Sequence, residues 1–150
     1  MRIVLQRVSR ASVSVDGEQL GAIGVGYLLL VAAGAEDRPE EVERLADKVV
    51  GLRVFPDAEG KMNLPLSEVD GEVLLVSQFT LYGDVRKGRR PSWLGAAPPE
   101  VAQERVEAFG RALEHRGVRV ARGRFQAHME VELLNDGPVT LLLDGADLVR

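Results

Sequence analysis

Two stretches of the chain carry an apolar stripe with helical spacing. Because the other apolar runs do not, we expect a fold with few helices and many strands. Asp37 can cap the first helix, with Pro39 in its first turn. The second helix is predicted from about Pro99 to His115, and Gly117 suits the position after its end. The two stripes consist of Val42, Leu45, Ala46 and Val49, and of Ala102, Val106, Phe109 and Leu113.

The remaining apolar runs have the spacing of β-strands. Residues 2–8 alternate, with Ile3, Leu5 and Arg7 on one face, and a strand at 11–15 leads into the tight-turn pair Asp16-Gly17. Further strands are predicted at 27–33, 52–55, 72–79, 118–121, 127–134 and 139–143, with a turn at 57–60. This pattern predicts an α+β fold, a mostly antiparallel sheet or barrel with two main helices packed on one side. No linker or repeat divides residues 1–150, so we expect a single domain.

The composition excludes several classes of protein. The chain contains no cysteine, which rules out a disulfide framework, a thiolate metal site and a cysteine nucleophile. The longest apolar run, residues 27–33, is too short to cross a bilayer, and the polar start does not have the pattern of a signal peptide. We therefore expect a cytoplasmic protein with no membrane partner.

The distribution of charge indicates which kind of nucleic-acid partner the chain can bind. A net charge of −4 argues against a protein that binds along a nucleic-acid duplex, so DNA is not expected as a partner. Basic residues nevertheless concentrate at 86–90 and at 111–124. Such a local patch suits a small anionic target, such as the end of a nucleic acid, and is equally typical of a solvated surface.

Common cofactor and catalytic patterns are missing. The glycines at 21, 24 and 26 lack the dinucleotide spacing and precede a strand, and there is no phosphate loop or zinc motif, so we expect no cofactor and no metal. His115 would complement the dipole at a helix C-terminus. His128 could act as a base for Ser77 or Thr80, although no flanking signature of a catalytic triad accompanies it.

The first informative segment is the end of the strand predicted at 72–79. There, Ser77, Gln78 and Thr80 follow a buried apolar run, with Phe79 among them. These polar groups can bond locally to a turn. Alternatively, backbone N–H groups and the Gln78 amide can converge on a ligand oxygen, where each donor would stabilise an oxyanion by about 3–4 kcal/mol.

The second informative segment is Asn135-Asp136-Gly137-Pro138-Val139-Thr140. The simplest interpretation is a turn between two strands. Gly137 can adopt positive φ, and the bond before Pro138 can be cis. A cis unit would point two carbonyls in nearly the same direction, which would make a rigid acceptor surface with no side chain in front of it.

Together, Ser77-Gln78-Phe79-Thr80-Leu81 and the segment from Asn135 to Thr140 resemble the paired motifs of the D-aminoacyl-tRNA deacylases, the bacterial and eukaryotic type first known as D-tyrosyl-tRNA deacylase. The likeness covers essentially the whole chain. It extends to residues 1–15 with Gln6-Arg7-Val8, to 52–55, to 60–63 and to the basic segment 88–93, where Trp93 stands in place of the more usual Phe.

One stretch departs from the family pattern. The family commonly has Phe-Gly-Ala-Asp-Met where this chain has Phe125-Gln126-Ala127-His128-Met129. Residues 126 and 128 differ, which argues further against His128 as a required base.

The resemblance implies a hydrolase that cleaves the ester of a D-amino acid or glycine on the 3′ end of tRNA, a chiral proofreading step of translation. It also implies a homodimer in which Gly137-Pro138 of one subunit reaches into the pocket of the other. Carbonyls of that loop would hold the substrate amine and exclude an L side chain.

The resemblance also assigns roles to residues. The backbone N–H groups of Phe79 and Thr80, assisted by Gln78, would form the oxyanion hole, and Ser77 would contact the substrate. The 2′-hydroxyl of the terminal adenosine would assist the attacking water, and Thr80 as a nucleophile is the competing idea. Arg7 would orient the Gly-Pro loop and Met129 would line the adenine pocket. Two rivals stay open, a Ser/Thr hydrolase of small esters and a non-catalytic module that binds nucleic-acid ends.

Overall fold

The computed structural model describes residues 1–149 and contains eight strands, two long helices and one short one. The strands are β1 (Arg2–Val15), β2 (Glu18–Ile23), β3 (Gly26–Ala32), β4 (Phe55–Pro56), β5 (Met62–Leu64), β6 (Glu72–Ser77), β7 (Val120–Arg122) and β8 (Glu130–Asp144). The helices are α1 (Pro39–Gly51), α2 (Pro99–His115) and α3 (Gly145–Leu148), and short 3-10 helices span Leu66–Val69 and Phe79–Tyr82. In residues 1–149, no helix combines the length and the apolar character needed to cross a membrane.

The long strand β1 organises the main sheet. Its first half pairs antiparallel with β3 and its second half with β2, while β8 pairs antiparallel along its other edge. β3, β6 and β7 then run parallel to one another. The sheet curls until β2 lies against β7, where a Cβ added to Gly21 would lie 3.3 Å from the Cβ of Ala121. The result is a mixed sheet close to a barrel.

The apolar residues form two layers because successive strand residues point to opposite faces of the sheet. The larger layer lies between the sheet and the two long helices, and it includes Ile3, Leu5, Tyr27, Leu29, Val31, Leu45, Val49, Val73, Leu75, Phe109 and Leu113. The smaller layer fills the curl of the sheet, and it includes Val8, Ala11, Val13, Ile23, Leu28, Leu74 and Val76. The α+β prediction, with two main helices on one side, is confirmed.

The helix ends agree with the sequence except at one cap. α2 has the predicted bounds, and after it Gly117 adopts φ +84° with its N–H donating to the Glu114 carbonyl at 2.9 Å. The predicted cap of α1 by Asp37 is wrong. The residue before the helix is Arg38, and its N–H donates to the Glu41 carboxylate at 3.2 Å. Asp37 instead accepts from the Gly34 N–H and from the amino group of Met1.

Several strand bounds also needed correction. Of the strand predicted at 52–55, only Phe55 pairs, and the strand predicted at 118–121 begins at Val120. β2 and β5 were not predicted. The turn at 57–60 is confirmed, with the Gly60 N–H donating to the Asp57 carbonyl at 2.9 Å.

At Gly137-Pro138 the local sequence predicts a turn between two strands, and the structure has none there. The chain does not reverse there, because Thr140 pairs with Gln6 and Asn135 pairs with Val8 in one antiparallel register. Residues 136–139 therefore face a single residue of β1, Arg7, and bulge out of β8. The Gly137-Pro138 peptide bond is cis.

Candidate active site

The polar segment Ser77–Thr80 lies where β6 ends. Its position is fixed by the neighbouring strand, since Ser77 is the pairing partner of Val31 and the Gln78 N–H donates to the Val31 carbonyl at 2.8 Å. The chain then enters the 3-10 helix, in which the Leu81 N–H donates to the Gln78 carbonyl at 3.1 Å. A helix that begins in this way leaves the N–H groups of Phe79 and Thr80 without an acceptor inside the helix.

The 3-10 helix is held at its far end by Tyr82. The Tyr82 hydroxyl donates to Asp37 at 3.3 Å, and the Arg2 guanidinium lies over the Tyr82 ring, 4.5 Å from its centroid. Burial and the Asp37 carboxylate raise the pKa of Tyr82, so its hydroxyl stays protonated and remains a donor. Arg2 also donates to the Leu81 carbonyl at 3.2 Å. These contacts hold the segment after Ser77 in one place.

A cavity of about 620 Å³ opens beside this segment. The polar side chains on its wall belong to Ser77, Gln78, Gln126 and His128. The rest of the wall is apolar and consists of Phe79, Trp93, Ala96, Ala97, Pro99, Ala102, Phe125, Ala127, Met129 and Val131. An apolar cleft with a few polar groups is the usual form of a small-molecule site.

Two aromatic rings form the rim of the cavity. Phe79 and Trp93 meet edge to face, with ring centroids 5.2 Å apart and an interplanar angle of 67°. They are 56% and 40% exposed. Gly83 makes room for the indole, because a Cβ added there would lie 2.8 Å from Cζ3 of Trp93. Large exposed rings at a cavity mouth offer a surface on which a flat group can stack.

The opposite wall comes from the segment that joins β7 to β8. Met129 packs onto Gly123, where an added Cβ would lie 2.5 Å from the Met129 sulfur. Gln126 adopts φ +63°, a left-handed conformation that glycine adopts more readily. Gln126 and His128, the residues that depart from the family pattern, both line the cavity.

The Thr80 hydroxyl has a donor, and not a base, beside it. The Gln78 side-chain amide donates to Thr80 Oγ1. Within residues 1–149, no carboxylate or imidazole is hydrogen-bonded to that hydroxyl. Thr80 does not line the cavity. In the same residues, no group of three or more His, Asp or Glu side chains is arranged to hold a metal ion.

The bulge at Gly137-Pro138 is exposed, but it is anchored from below. Arg7 is 8% exposed, and its guanidinium donates to the Asp136 carbonyl at 3.1 Å and to the Val54 carbonyl at 2.5 Å. The Asn135 amide bridges the Arg7 carbonyl at 2.9 Å and the Val139 carbonyl at 3.0 Å. Gly137 and Pro138 are not part of the cavity wall of their own chain.

The structure thus brings Ser77, Gln78, Phe79 and Met129 to one cavity and groups Arg7 with Gly137-Pro138 elsewhere. Sequence reasoning did not assign Trp93, Phe125 or the small residues Ala96, Ala97 and Ala102 to the site. The similarity of segments 88–93 and 125–129 to the family motifs was the available signal. The three alanines carry no signal, because small residues on a helix or loop are typical of packing anywhere.

Comparison with known proteins agrees on one family. Residues 4–144 match the sequence pattern that defines the D-Tyr-tRNA(Tyr) deacylase family. The D-aminoacyl-tRNA deacylase of Thermotoga petrophila is 53% identical over 148 residues, which are 99% of each chain. Among solved structures, the c-Myc DNA Unwinding Element Binding Protein is 41% identical with a TM-score of 0.89, covering 96% of this chain and 98% of that one. A probable eukaryotic D-amino acid tRNA deacylase has a TM-score of 0.79 over 95% of this chain and 97% of its own, and at 18% identity it shows the fold alone.

Proposed function

The chain belongs to the D-Tyr-tRNA(Tyr) deacylase family, and from this premise we propose that it hydrolyses the ester joining a D-amino acid to the 3′ end of tRNA. The products are the free amino acid and tRNA. The proposal rests on the D-aminoacyl-tRNA deacylase of Thermotoga petrophila, which is 53% identical to this chain over 99% of its length. Proofreading of charged tRNA would place the enzyme in the cytoplasm.

The cavity beside Ser77–Thr80 is the proposed site of hydrolysis. The unpartnered N–H groups of Phe79 and Thr80 would stabilise the oxyanion of the tetrahedral intermediate, with the Gln78 amide assisting and Ser77 contacting the substrate. Met129 and the aromatic wall would take the terminal adenosine. The Gln78 amide at Thr80 cannot accept a proton, which supports a water nucleophile assisted by the 2′-hydroxyl of that adenosine.

Replacement of Thr80 by Ala separates this mechanism from a Ser/Thr hydrolase. If Thr80 contributes only its backbone, the variant keeps its kcat on D-Tyr-tRNA within about tenfold, because losing a nucleophile costs several orders of magnitude. Loss of all activity in a folded variant would make Thr80 the nucleophile. Thr80→Ser is the matched control, because it keeps the hydroxyl and should stay active under either mechanism.

The anchored bulge is the proposed chiral filter. Its exposure and its rigid attachment through Arg7 and Asn135 suit a loop that enters the pocket of another copy of the chain. There the backbone carbonyls near Gly137-Pro138 would bind the substrate amine and occupy the space of an L side chain. Glycine lacks a side chain and would pass the same filter, so glycyl-tRNA is a second proposed substrate.

A paired assay tests the activity. Purified protein should release amino acid from D-Tyr-tRNA and from glycyl-tRNA, and should spare L-Tyr-tRNA. Binding of tRNA without release would favour a non-catalytic nucleic-acid-binding module, which the name of the 41% identical structure suggests. Equal hydrolysis of the D and L substrates would leave a hydrolase but remove the chiral filter.

Co-expression of two inactive variants tests the shared site. Ala127→Trp would block the cavity, and Gly137→Val would distort the bulge. In a homodimer whose sites use both subunits, random pairing restores about a quarter of the wild-type activity, because half of the sites in each mixed dimer are intact. No recovery, or a monomer in sedimentation, would contradict the shared site. A chain carrying both changes, co-expressed with itself, gives the baseline.

A further inference from the structure

The loop between Asp84 and Ser92 has no role in the site described above. Its two ends are joined by a pair of backbone hydrogen bonds, from the Asp84 N–H to the Ser92 carbonyl at 2.8 Å and from the Ser92 N–H to the Asp84 carbonyl at 2.9 Å. All residues from 85 to 91 are exposed. A Cβ added to Gly88 would meet nothing within 4 Å. The loop therefore projects into solvent from a fixed base.

The loop carries positive charge that the described residues do not neutralise. Arg86 is paired with Asp84, with Nη2 2.6 Å from the carboxylate. Lys87, Arg89 and Arg90 form no ion pair or hydrogen bond within residues 1–149. Three free cations within four residues stand out in a chain whose net charge is −4. Asp84 is thus used to shape the loop, and the three following cations remain available to an anion.

Both ends of the loop lie at the rim of the cavity. Ser92 is followed by Trp93, whose indole packs on Gly83, the residue before Asp84. The exposed rings of Trp93 and Phe79 contact each other and both line the cavity, so the loop base adjoins the aromatic part of its wall. A ligand chain that leaves the cavity at this rim passes the two rings first and the three cations next.

We propose that Lys87, Arg89 and Arg90 bind the backbone phosphates of the nucleotides that precede the terminal adenosine in the single-stranded 3′ end of tRNA. The proposal rests on the proposed deacylase function, which places that adenosine in the cavity. Proteins that bind single strands combine a cationic track for phosphates with aromatic rings for bases, and the rim has this combination. Contacts to phosphates position the strand without reading its sequence, which suits an enzyme that acts on many tRNAs.

Binding of a short single-stranded RNA that ends in CCA tests the loop without any hydrolysis. Three phosphate contacts predict that the Kd of this RNA rises about 20-fold between 50 and 200 mM NaCl, since each contact on a single strand adds about 0.7 to the salt slope. In the triple variant Lys87→Gln, Arg89→Gln, Arg90→Gln, the Kd at 50 mM NaCl should rise at least tenfold and lose most of its salt dependence.

A matched control removes the same charge elsewhere. Arg44→Gln, Lys48→Gln and Arg111→Gln lie on exposed faces of the two long helices, and this triple variant has the same net charge as the loop variant. It should bind the RNA like the wild type. Equal weakening in both triple variants would overturn the proposal, because the effect would then come from total charge. Unchanged binding in the loop variant would overturn it as well.

A hydrolysis assay tests whether the loop contributes to the proposed reaction. The loop variant should lose at least tenfold in kcat/KM on D-Tyr-tRNA but match the wild type on D-tyrosyl adenosine, which carries the same ester and no preceding phosphate. Equal losses on both substrates would overturn the loop proposal. If the wild type hydrolyses neither substrate, the deacylase proposal fails, and RNA binding still decides whether the loop binds phosphates.

Discussion

The two motif segments have opposite shapes in the folded chain. Ser77–Thr80 borders a cavity, whereas Gly137-Pro138 is an exposed projection that does not touch the wall of that cavity. The cavity segment is placed by the end of a buried strand, and the bulge is placed by hydrogen bonds of Arg7 and Asn135. Because Gly137 and Pro138 do not line the cavity of their own chain, the two segments fit the proposal that a complete site forms between two copies.

Loss of the anchor under the bulge should have the largest effect. Arg7→Ala removes the donor to the buried Val54 carbonyl, which costs about 1–3 kcal/mol, and also the part-buried bond to the Asp136 carbonyl. We expect a loss of about 3 kcal/mol in the free energy of unfolding, measured with urea. Arg53 also donates to a backbone carbonyl, at 2.8 Å, but it is exposed. Arg53→Ala should therefore stay near wild-type stability, and equal losses in both variants would show that the buried bonds of Arg7 add no more stability than those of an exposed arginine.

Distortion of the bulge should leave the fold intact and reduce activity. Gly137 has φ +128°, and an added Cβ would lie 2.9 Å from Cγ2 of Val139 and 3.0 Å from the Arg7 guanidinium. Gly137→Ala would shift the backbone carbonyls, and a shift of about 1 Å in a positioning group costs about 100-fold in kcat/KM on D-Tyr-tRNA. Gly17→Ala is the control, since Gly17 also has positive φ but no neighbour within 4 Å. Wild-type kinetics in Gly137→Ala would remove the bulge from the mechanism.

A change at the rim of the cavity should have a smaller effect. The Cβ of Gly83→Ala would lie 2.8 Å from the Trp93 ring and 3.0 Å from the Thr80 carbonyl oxygen, so the indole must move. We expect KM for D-Tyr-tRNA to rise about tenfold, which corresponds to about 1.4 kcal/mol of binding. Trp93 is the single tryptophan, so its fluorescence reports the movement directly. Gly95→Ala makes ordinary contact with Tyr82 at 3.4 Å and should change neither quantity.

The smallest expected effect lies in the loop that joins the rim. The Arg86 guanidinium and N–H lower the pKa of Asp84 from 3.8 to about 2. Because the folded pKa is depressed, the pair is intact above pH 3.8 and is lost as the pH falls towards 2. A carboxyl titration by NMR should show this low value in the wild type and a higher pKa in Arg86→Gln, which stays below 3.8 because the backbone N–H of residue 86 still donates to Asp84. An unchanged low value in that variant would assign the shift to another group.

The sequence predicted one polar edge of the cavity and Met129, but not most of the cavity wall. The buried run before Ser77 correctly predicted a strand that ends in polar groups, and α2 was predicted with its observed bounds. Trp93 packs against Gly83 and Met129 packs against Gly123, and each contact needs the absence of a side chain on the glycine. Such approaches depend on contacts far apart in the chain, which local spacing does not record.

At the bulge, the local sequence pattern predicts the wrong backbone path. Gly137 and Pro138 are typical of a chain reversal, and local preferences predict a turn there. Pairing of β8 with both halves of β1 overrides that preference, because the strand must continue to complete the sheet. The sequence by itself determined the α+β class, the two helices, the absence of thiol chemistry and the motifs that identify the family. Only the tertiary structure decided that one motif borders a cavity and the other projects, because strand register and the buried Arg7 set their positions through contacts between residues more than 100 positions apart.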